Sequence, residues 1–200
     1  MLSYRKLAMR VLGRPLHTEG IDSPRPASQR AAALVLTAAM LTTLTAPAFA
    51  KEWYIEDGDI TVKAGESGND VTQNNETTVN DHDTIITNRE EGASSHTVTI
   101  EAKDKDDKVE VTLKDVNIDT SSRNKAAVSV TGEGDTNIKL DGDNALKSDI
   151  YSSGISSSGS LSISGGTVTA TAGSSSGSYG RDGITTSSSL TISGGTVTAN

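Results

Sequence analysis

The chain has 200 residues, a formal net charge of −8 and no cysteine, so no disulfide bond holds it together. Six of its 18 basic residues and two of its 26 acidic residues lie in the first 50 positions, which leaves 12 basic against 24 acidic residues in 51–200. The resulting charge of −12 argues against nucleic acid and anionic membrane surfaces as partners. The four prolines also precede residue 51, which suits paired strands in the remaining chain, about 150 residues and enough for one domain.

The first 50 residues have the pattern of a secretory signal peptide. Six Arg and Lys residues are followed by the apolar run AAALVLTAAMLTTLT, from Ala31 to Thr45, and by the small-residue site Ala48-Phe49-Ala50. The run is shorter than the roughly 20 residues of a membrane-spanning helix. We therefore predict cleavage after Ala50, export of the chain, and membrane contact only before cleavage. An internal helix is the alternative interpretation, and Met9 is an alternative start.

Residues 51–125 predict irregular coils, or a cap, at the beginning of a β-structure. The segment from Glu52 to Gly65 indicates a strand, a turn at Asp57-Gly58 and a second strand, with Ile55, Ile60 and Val62 pointing inward. Residues 66–83 are polar and are interpreted as a loop or an irregular first coil. Short runs with alternating apolar residues follow, up to Ile118.

A repeat dominates residues 126–200. The segment SLSISGGTVTA, Ser160 to Ala170, returns 29 positions later as SLTISGGTVTA, Ser189 to Ala199, with one difference. Apolar residues alternate with β-branched ones within each copy, which is typical of strands, and a Gly-Gly pair divides each copy into two short strands. Because one coil cannot bury its own apolar face, such repeats stack and share a core.

The coil before this repeat aligns with it in sequence. The alignment places Ala127-Val128 with Gly154-Ile155 and Gly183-Ile184; Ile138 and Leu140 with Leu161 and Ile163; and Asp141-Gly142 with Ser164-Gly165. The sequence thus predicts an all-β protein, a parallel β-helix solenoid with regular 29-residue coils over 126–200. Since the chain ends inside a repeat, a truncated reading frame or fragment is expected.

The motifs also carry a resemblance to a known family. WYIEDGDITV, VTLKDVNIDTSS, KAAVSV, IKLDGDNALKS and the SLTISGGTVTA repeats, in this order, resemble secreted Gram-positive surface proteins labelled carbohydrate-binding-domain-containing. The resemblance covers residues 52–200. It implies a right-handed parallel β-helix and binding of sugar, without a defined set of contact residues.

The best candidate ligand patch contains the few aromatic residues of the repeats. Tyr151 and Tyr179 are 28 positions apart, close to one coil, so they could stack at one corner of the solenoid beside Arg181 and Asp182. Aromatic faces with polar neighbours are the usual components of a sugar site. The alternative is that both tyrosines are ordinary exposed corner residues.

The sequence evidence for metal-binding and catalytic residues is weaker. Asp141 and Asp143 are the pair proposed to bind Ca²⁺, although no EF-hand or β-roll spacing surrounds them. The pattern GSSSG around Ser175 matches a nucleophile elbow, but no helical pattern follows it. His82 and His96 lie in polar segments without metal-ligand spacing. Further acidic clusters with the same potential are Asp57/Asp59 and Asp104/Asp106/Asp107.

Together these patterns predict an exported, non-enzymatic β-helix protein of the bacterial surface or secretome. It would act as a stalk, an adhesin or a module that binds polysaccharide or cell-wall glycan, without a required cofactor. Two alternatives remain at this point: a polysaccharide lyase-like enzyme on the same fold, and a fragment without a function of its own.

Overall fold

The computed structural model describes residues 51–174 and 180–200, and over this part of the chain it is a β-solenoid of about 4 turns. Strands account for 58% of the structure, and the described residues include no α-helix. The prediction of an all-β solenoid built from stacked parallel strands is therefore confirmed. The predicted signal peptide, with Ala48 and Ala50, lies outside the described residues. Within them, no helix has the length and apolar character to cross a membrane.

Two sheets form the walls of the solenoid, and we call them sheet A and sheet B. In both, each central strand pairs in parallel with its equivalent in the next coil, so all coils share one core. Sheet A contains β1 (Lys51–Tyr54), β5 (Thr84–Thr87), β7 (Lys108–Lys114), β8 (Asn117–Asp119), β10 (Asp135–Lys147), β12 (Ser160–Thr171), β14 (Leu190–Ser193) and β15 (Thr196–Ala199). Sheet B contains β2 (Ile60–Ala64), β3 (Asn69–Gln73), β4 (Glu76–Asp81), β6 (Val98–Ala102), β9 (Val128–Gly132), β11 (Ile155–Ser157) and β13 (Ile184–Thr186).

Sheet A bends at glycine corners. The first half of β10 pairs with β7 and its second half with β8. On its other side β10 pairs with β12, with a register irregularity between Leu140 and Asp143. The predicted Gly-Gly corners have positive φ angles, 76° and 21° at Gly165-Gly166 and 87° and 72° at Gly194-Gly195. Only the second copy is divided there into two strands. In the first copy the ladder continues through the corner, because β12 is paired on both sides of it.

The predicted register of the sheet B coils is confirmed, and that of sheet A is wrong by two residues. Val128, Ile155 and Ile184 are direct neighbours in sheet B, as the repeat alignment indicated. In sheet A, however, Ile138 pairs with Ile163, and Leu140 pairs with Gly165. Since side chains alternate with a period of two, a two-residue slip keeps the same residues inside, and alternation alone cannot detect it.

The core is a continuous column of aliphatic side chains along the solenoid. Each coil contributes inward residues from both sheets, and the predicted inward residues Ile55, Ile60 and Val62 are fully buried. Burial of each such side chain stabilises the fold by about 1.5–3 kcal/mol. In the last coil Leu190 and Ile192 remain 37% and 49% exposed.

A β-hairpin replaces the loop or irregular coil predicted for residues 66–83. Strands β3 and β4 are antiparallel, and β3 also pairs antiparallel with β2 at the end of sheet B. Asn74 and Asn75 form the two-residue turn with φ angles of 53° and 65°, the signs of a type I′ turn. The side chain of Val71, on β3, is fully buried, whereas that of Val79, on β4, is 63% exposed.

Candidate functional site

An open groove of about 500 Å³ runs across the outer surface of sheet B. Its floor consists of hydroxyl side chains that point away from the core on four neighbouring strands. They are cross-strand partners in register: Thr99, Ser129, Ser156 and Thr185. The residue before each of them points inward and is apolar: Val98, Val128, Ile155 and Ile184. The same alternation that builds the core therefore builds this hydroxyl row. We call this surface the sheet B groove.

The corner loops that precede the strands of sheet B form one wall of the groove. Asn124, Lys125, Tyr151, Ser152 and Arg181 line it from successive coils. Tyr151 is 68% exposed, so most of its ring surface is available for contact. Within the described part of the chain, neither Lys125 nor Arg181 forms an ion pair.

Hydrogen bonds hold the loop that presents Lys125. The Thr120 hydroxyl donates to the Lys125 carbonyl oxygen at 2.6 Å, and the Thr120 amide donates to the Lys147 carbonyl oxygen of the next coil at 2.9 Å. Thr120 is fully buried. The backbone of this corner is therefore fixed to two coils, while the Lys125 side chain is exposed.

Hydrogen bonds also hold the loop that carries Tyr151. The Asp149 carboxylate accepts a hydrogen bond from the Tyr151 amide at 3.1 Å, and the Ser148 hydroxyl donates to the Ser152 carbonyl oxygen at 2.6 Å. Asp149 and Ser148 are buried, and the Ser153 and Thr185 hydroxyls are hydrogen-bonded across the floor. The backbone that carries the aromatic ring is thus held in a hydrogen-bonded corner.

An ion pair joins the corner before β2 to the corner before β9, next to the sheet B groove. The Arg123 guanidinium donates to both carboxylate oxygens of Asp59, at 2.7 and 2.9 Å, and also to the Ser95 carbonyl oxygen at 2.9 Å. The Arg123 side chain, together with the Thr97 amide, lowers the pKa of Asp59 from 3.8 to about 2, against the opposing effect of burial. This pair links residues 64 positions apart and braces the loop that carries Lys125.

The residues predicted for a ligand patch are brought together only in part. Tyr151 and Arg181 line the same groove, and Asp182 is exposed next to Arg181 without lining the groove. Tyr179 lies outside the described residues, as does Ser175. Sequence reasoning missed Lys125 and the hydroxyl row, although the alignment of Lys125 with Ser152 and Arg181, each three residues before a core residue, contained the signal.

The residues predicted to bind Ca²⁺ lie on another surface. Asp141 and Asp143 are exposed on either side of Gly142, at the corner of sheet A. The Asp143 amide donates to the Asp115 carboxylate at 3.1 Å, and the Asp115 amide donates to the Asp141 carbonyl oxygen at 3.0 Å. Over residues 51–174 and 180–200, no three His, Asp or Glu side chains are grouped as metal ligands would be.

His82 and His96, which were considered as metal ligands, have separate surroundings. His82 is exposed in the turn after β4, and His96 is half-buried with its ring nitrogen Nδ1 3.1 Å from the Ile55 carbonyl oxygen.

A second open groove of about 650 Å³ lies on the outer face of sheet A. Serine and threonine side chains line its C-terminal half, and Lys108, Glu110 and Asp135 line its N-terminal half. We call it the sheet A groove. The two grooves share a hydroxyl-rich floor, but only the sheet B groove is lined by a tyrosine.

The chain matches no protein-family model, no curated protein and no solved structure.

Proposed function

We propose that the protein is an exported, non-enzymatic β-solenoid of the bacterial surface or secretome that binds glycan in the sheet B groove. The observation that carries this proposal is the exposed Tyr151 ring on the wall of a groove with a floor of hydroxyl groups. Hydroxyl side chains both donate and accept hydrogen bonds, as the hydroxyls of sugars do, and an aromatic face packs against the apolar face of a sugar ring.

The solenoid suits a repetitive ligand in this proposal. Adjacent strands of the floor are about 4.8 Å apart, so Thr99 to Thr185 span about 14 Å along the axis. A polymer lying along the axis would meet the same kind of contact once per coil, and weak contacts on one chain add up. The predicted right-handed coil belongs to the same proposal, since crossovers between parallel strands are right-handed in about 98% of cases.

Export is proposed from the leader sequence and from the resemblance to secreted carbohydrate-binding proteins. If the signal peptide is cleaved after Ala50, mass spectrometry of protein secreted by a Gram-positive host will give Lys51 as the first residue. A secreted chain that begins elsewhere would move the cleavage site, and retention of the whole chain inside the cell would contradict export.

Glycan binding is tested by retention of the purified protein on a panel of insoluble and immobilised polysaccharides. Tyr151→Ala should weaken retention about twofold to tenfold, the usual effect of losing one aromatic contact. Val79→Ala is the matched control, because Val79 is about as exposed but lies on β4, outside the groove.

Three results would contradict the proposal. Folded protein that binds no polysaccharide would exclude glycan binding. Equal losses in Tyr151→Ala and Val79→Ala would exclude the groove. Shortening of the polysaccharide during incubation, with an unsaturated product visible by ultraviolet absorbance, would favour the lyase-like enzyme instead.

A further inference from the structure

The two cations of the sheet B groove occupy equivalent positions in two coils. Lys125 precedes Val128 by three residues, and Arg181 precedes Ile184 by three residues. Val128 and Ile184 are both paired with Ile155, so the two cations are two coils apart, with Ser152 at the same position between them. With about 4.8 Å between adjacent strands, their backbones are about 9.6 Å apart along the solenoid axis.

The charged side chains that line the described part of this groove are both cationic, in a protein with twice as many acidic as basic residues over 51–200. Glu101 lies on the same sheet, but it is paired with Lys63 at 2.8 Å. The sheet A groove differs, because Glu110 and Asp135 line it beside Lys108. Asp182 is exposed next to Arg181 but does not line the groove. The charged side chains that line the sheet B groove are therefore cationic, whereas those that line the sheet A groove have both signs.

The net negative charge of the molecule does not forbid an anionic ligand here. Charges are screened over about 8 Å at physiological ionic strength, so acidic groups on other faces act weakly on a ligand in the groove. Lys125 and Arg181 would contact that ligand directly. Arginine also binds a carboxylate through two parallel hydrogen bonds, which adds direction to the attraction.

We infer that the ligand is a linear acidic polysaccharide with a carboxylate on alternate sugars, lying along the solenoid axis across the strands of sheet B. This inference rests on the proposed glycan binding and names the class of glycan. The separation of Lys125 and Arg181 is close to the length of a disaccharide, so successive carboxylates of such a polymer reach both cations. Tyr151 and Ser152 face the uncharged sugar between them.

The test compares three immobilised polymers by biolayer interferometry: hyaluronan, which has a carboxylate on alternate sugars, neutral dextran, and sulfated heparin. We expect the protein to bind hyaluronan more tightly than dextran. Lys125→Ala and Arg181→Ala should each weaken hyaluronan binding about twofold to fivefold, as expected for exposed charge pairs, and the double variant about tenfold. Dextran binding should not change.

The matched control is the double variant Lys108→Ala and Lys139→Ala. It removes the same charge from exposed positions on sheet A and should leave hyaluronan binding within twofold. Equal losses in the two double variants would overturn the inference, since binding would then depend on net charge alone. Circular dichroism confirms that each variant is folded.

The remaining outcomes separate this inference from the proposed function. Dextran bound as tightly as hyaluronan would overturn the acidic ligand and leave glycan binding intact. Heparin also has a carboxylate on alternate sugars, so binding to heparin without binding to hyaluronan would show that sulfate is required, and would overturn the carboxylate as the group that Lys125 and Arg181 recognise. Folded protein that binds none of the three polymers, and nothing on the wider panel, would overturn the proposed function itself.

Discussion

Ile163 and Ile192 occupy the same position in two nearly identical repeats and are direct neighbours in sheet A. Ile163 is fully buried between coils, whereas Ile192, in the last coil, is 49% exposed. Burial at this position of the repeat therefore depends on having a coil on both sides. The sequence of a residue and its neighbours is not sufficient to determine it.

This difference predicts unequal effects of the same substitution. Ile163→Ala should lower the free energy of unfolding by about 2–5 kcal/mol, because it leaves a cavity between packed coils. Ile192→Ala should cost about 1 kcal/mol, since half of that side chain already contacts water. Urea unfolding of both variants measures the difference. Equal losses would mean that the last coil is covered in solution.

Asp59 predicts a specific response to acid. Its pKa is lowered to about 2 by the hydrogen-bonded Arg123 guanidinium, so the native state binds a proton less readily than the unfolded chain. The stabilisation is complete above about pH 4 and is lost as the pH falls from about 4 to 2. Because the pair is partly exposed, solvent screening limits the effect to about 1 kcal/mol.

The measurement compares acid unfolding of the wild type with that of Asp59→Asn. The variant lacks the titrating group, so its stability should fall by about 1 kcal/mol less over this range of pH. Asp106→Asn is the control, because Asp106 is an exposed carboxylate away from Arg123. If both variants follow the wild-type curve, the ion pair does not contribute to folding.

At the scale of elements, the corners between strands depend on close contact between coils. Gly132, at the end of β9, has a φ of +101°, and a Cβ there would lie 1.9 Å from the Ala102 carbonyl oxygen of the previous coil. Only glycine can adopt this conformation without strain and leave room for the neighbouring backbone.

Gly132→Ala should therefore lower the free energy of unfolding by at least about 2 kcal/mol, from backbone strain and the displaced coil. Gly92→Ala is the control, because a Cβ at Gly92 meets nothing within 4 Å. Its effect should stay within about 0.5 kcal/mol. Thermal unfolding compares the two, and a Gly132→Ala protein as stable as the Gly92→Ala protein would refute the close packing at this corner.

The repeat was sufficient to predict the architecture, because a strand pattern returning every 29 residues with glycine corners permits little besides stacked coils. It was not sufficient for the sheet A register, where pairing Ile138 with Leu161 or with Ile163 buries the same face. The hairpin was missed because Asn74-Asn75 is a less familiar type I′ turn than Asn-Gly, and its strand β4 is mostly exposed. Lys125 was missed because Arg181, the other cation that lines the groove, lies two coils away.

At the scale of the whole molecule, the solenoid separates two surfaces built by the same alternation. The outward side chains of sheet B present hydroxyls beside Tyr151, Lys125 and Arg181, whereas those of sheet A present hydroxyls beside charges of both signs. A fold in which the core is repetitive thus leaves the corners and outward positions free to differ between faces. We propose that the residues at these corner and outward positions select the ligand.

The most direct test is amide chemical-shift mapping of the ¹⁵N-labelled protein during titration with hyaluronan oligosaccharides. The account predicts shifts along Thr99, Ser129, Ser156 and Thr185, and no shifts along their counterparts on sheet A, Asn137, Ser162 and Thr191. Shifts confined to the sheet A row would contradict it. So would a folded protein whose spectrum does not change.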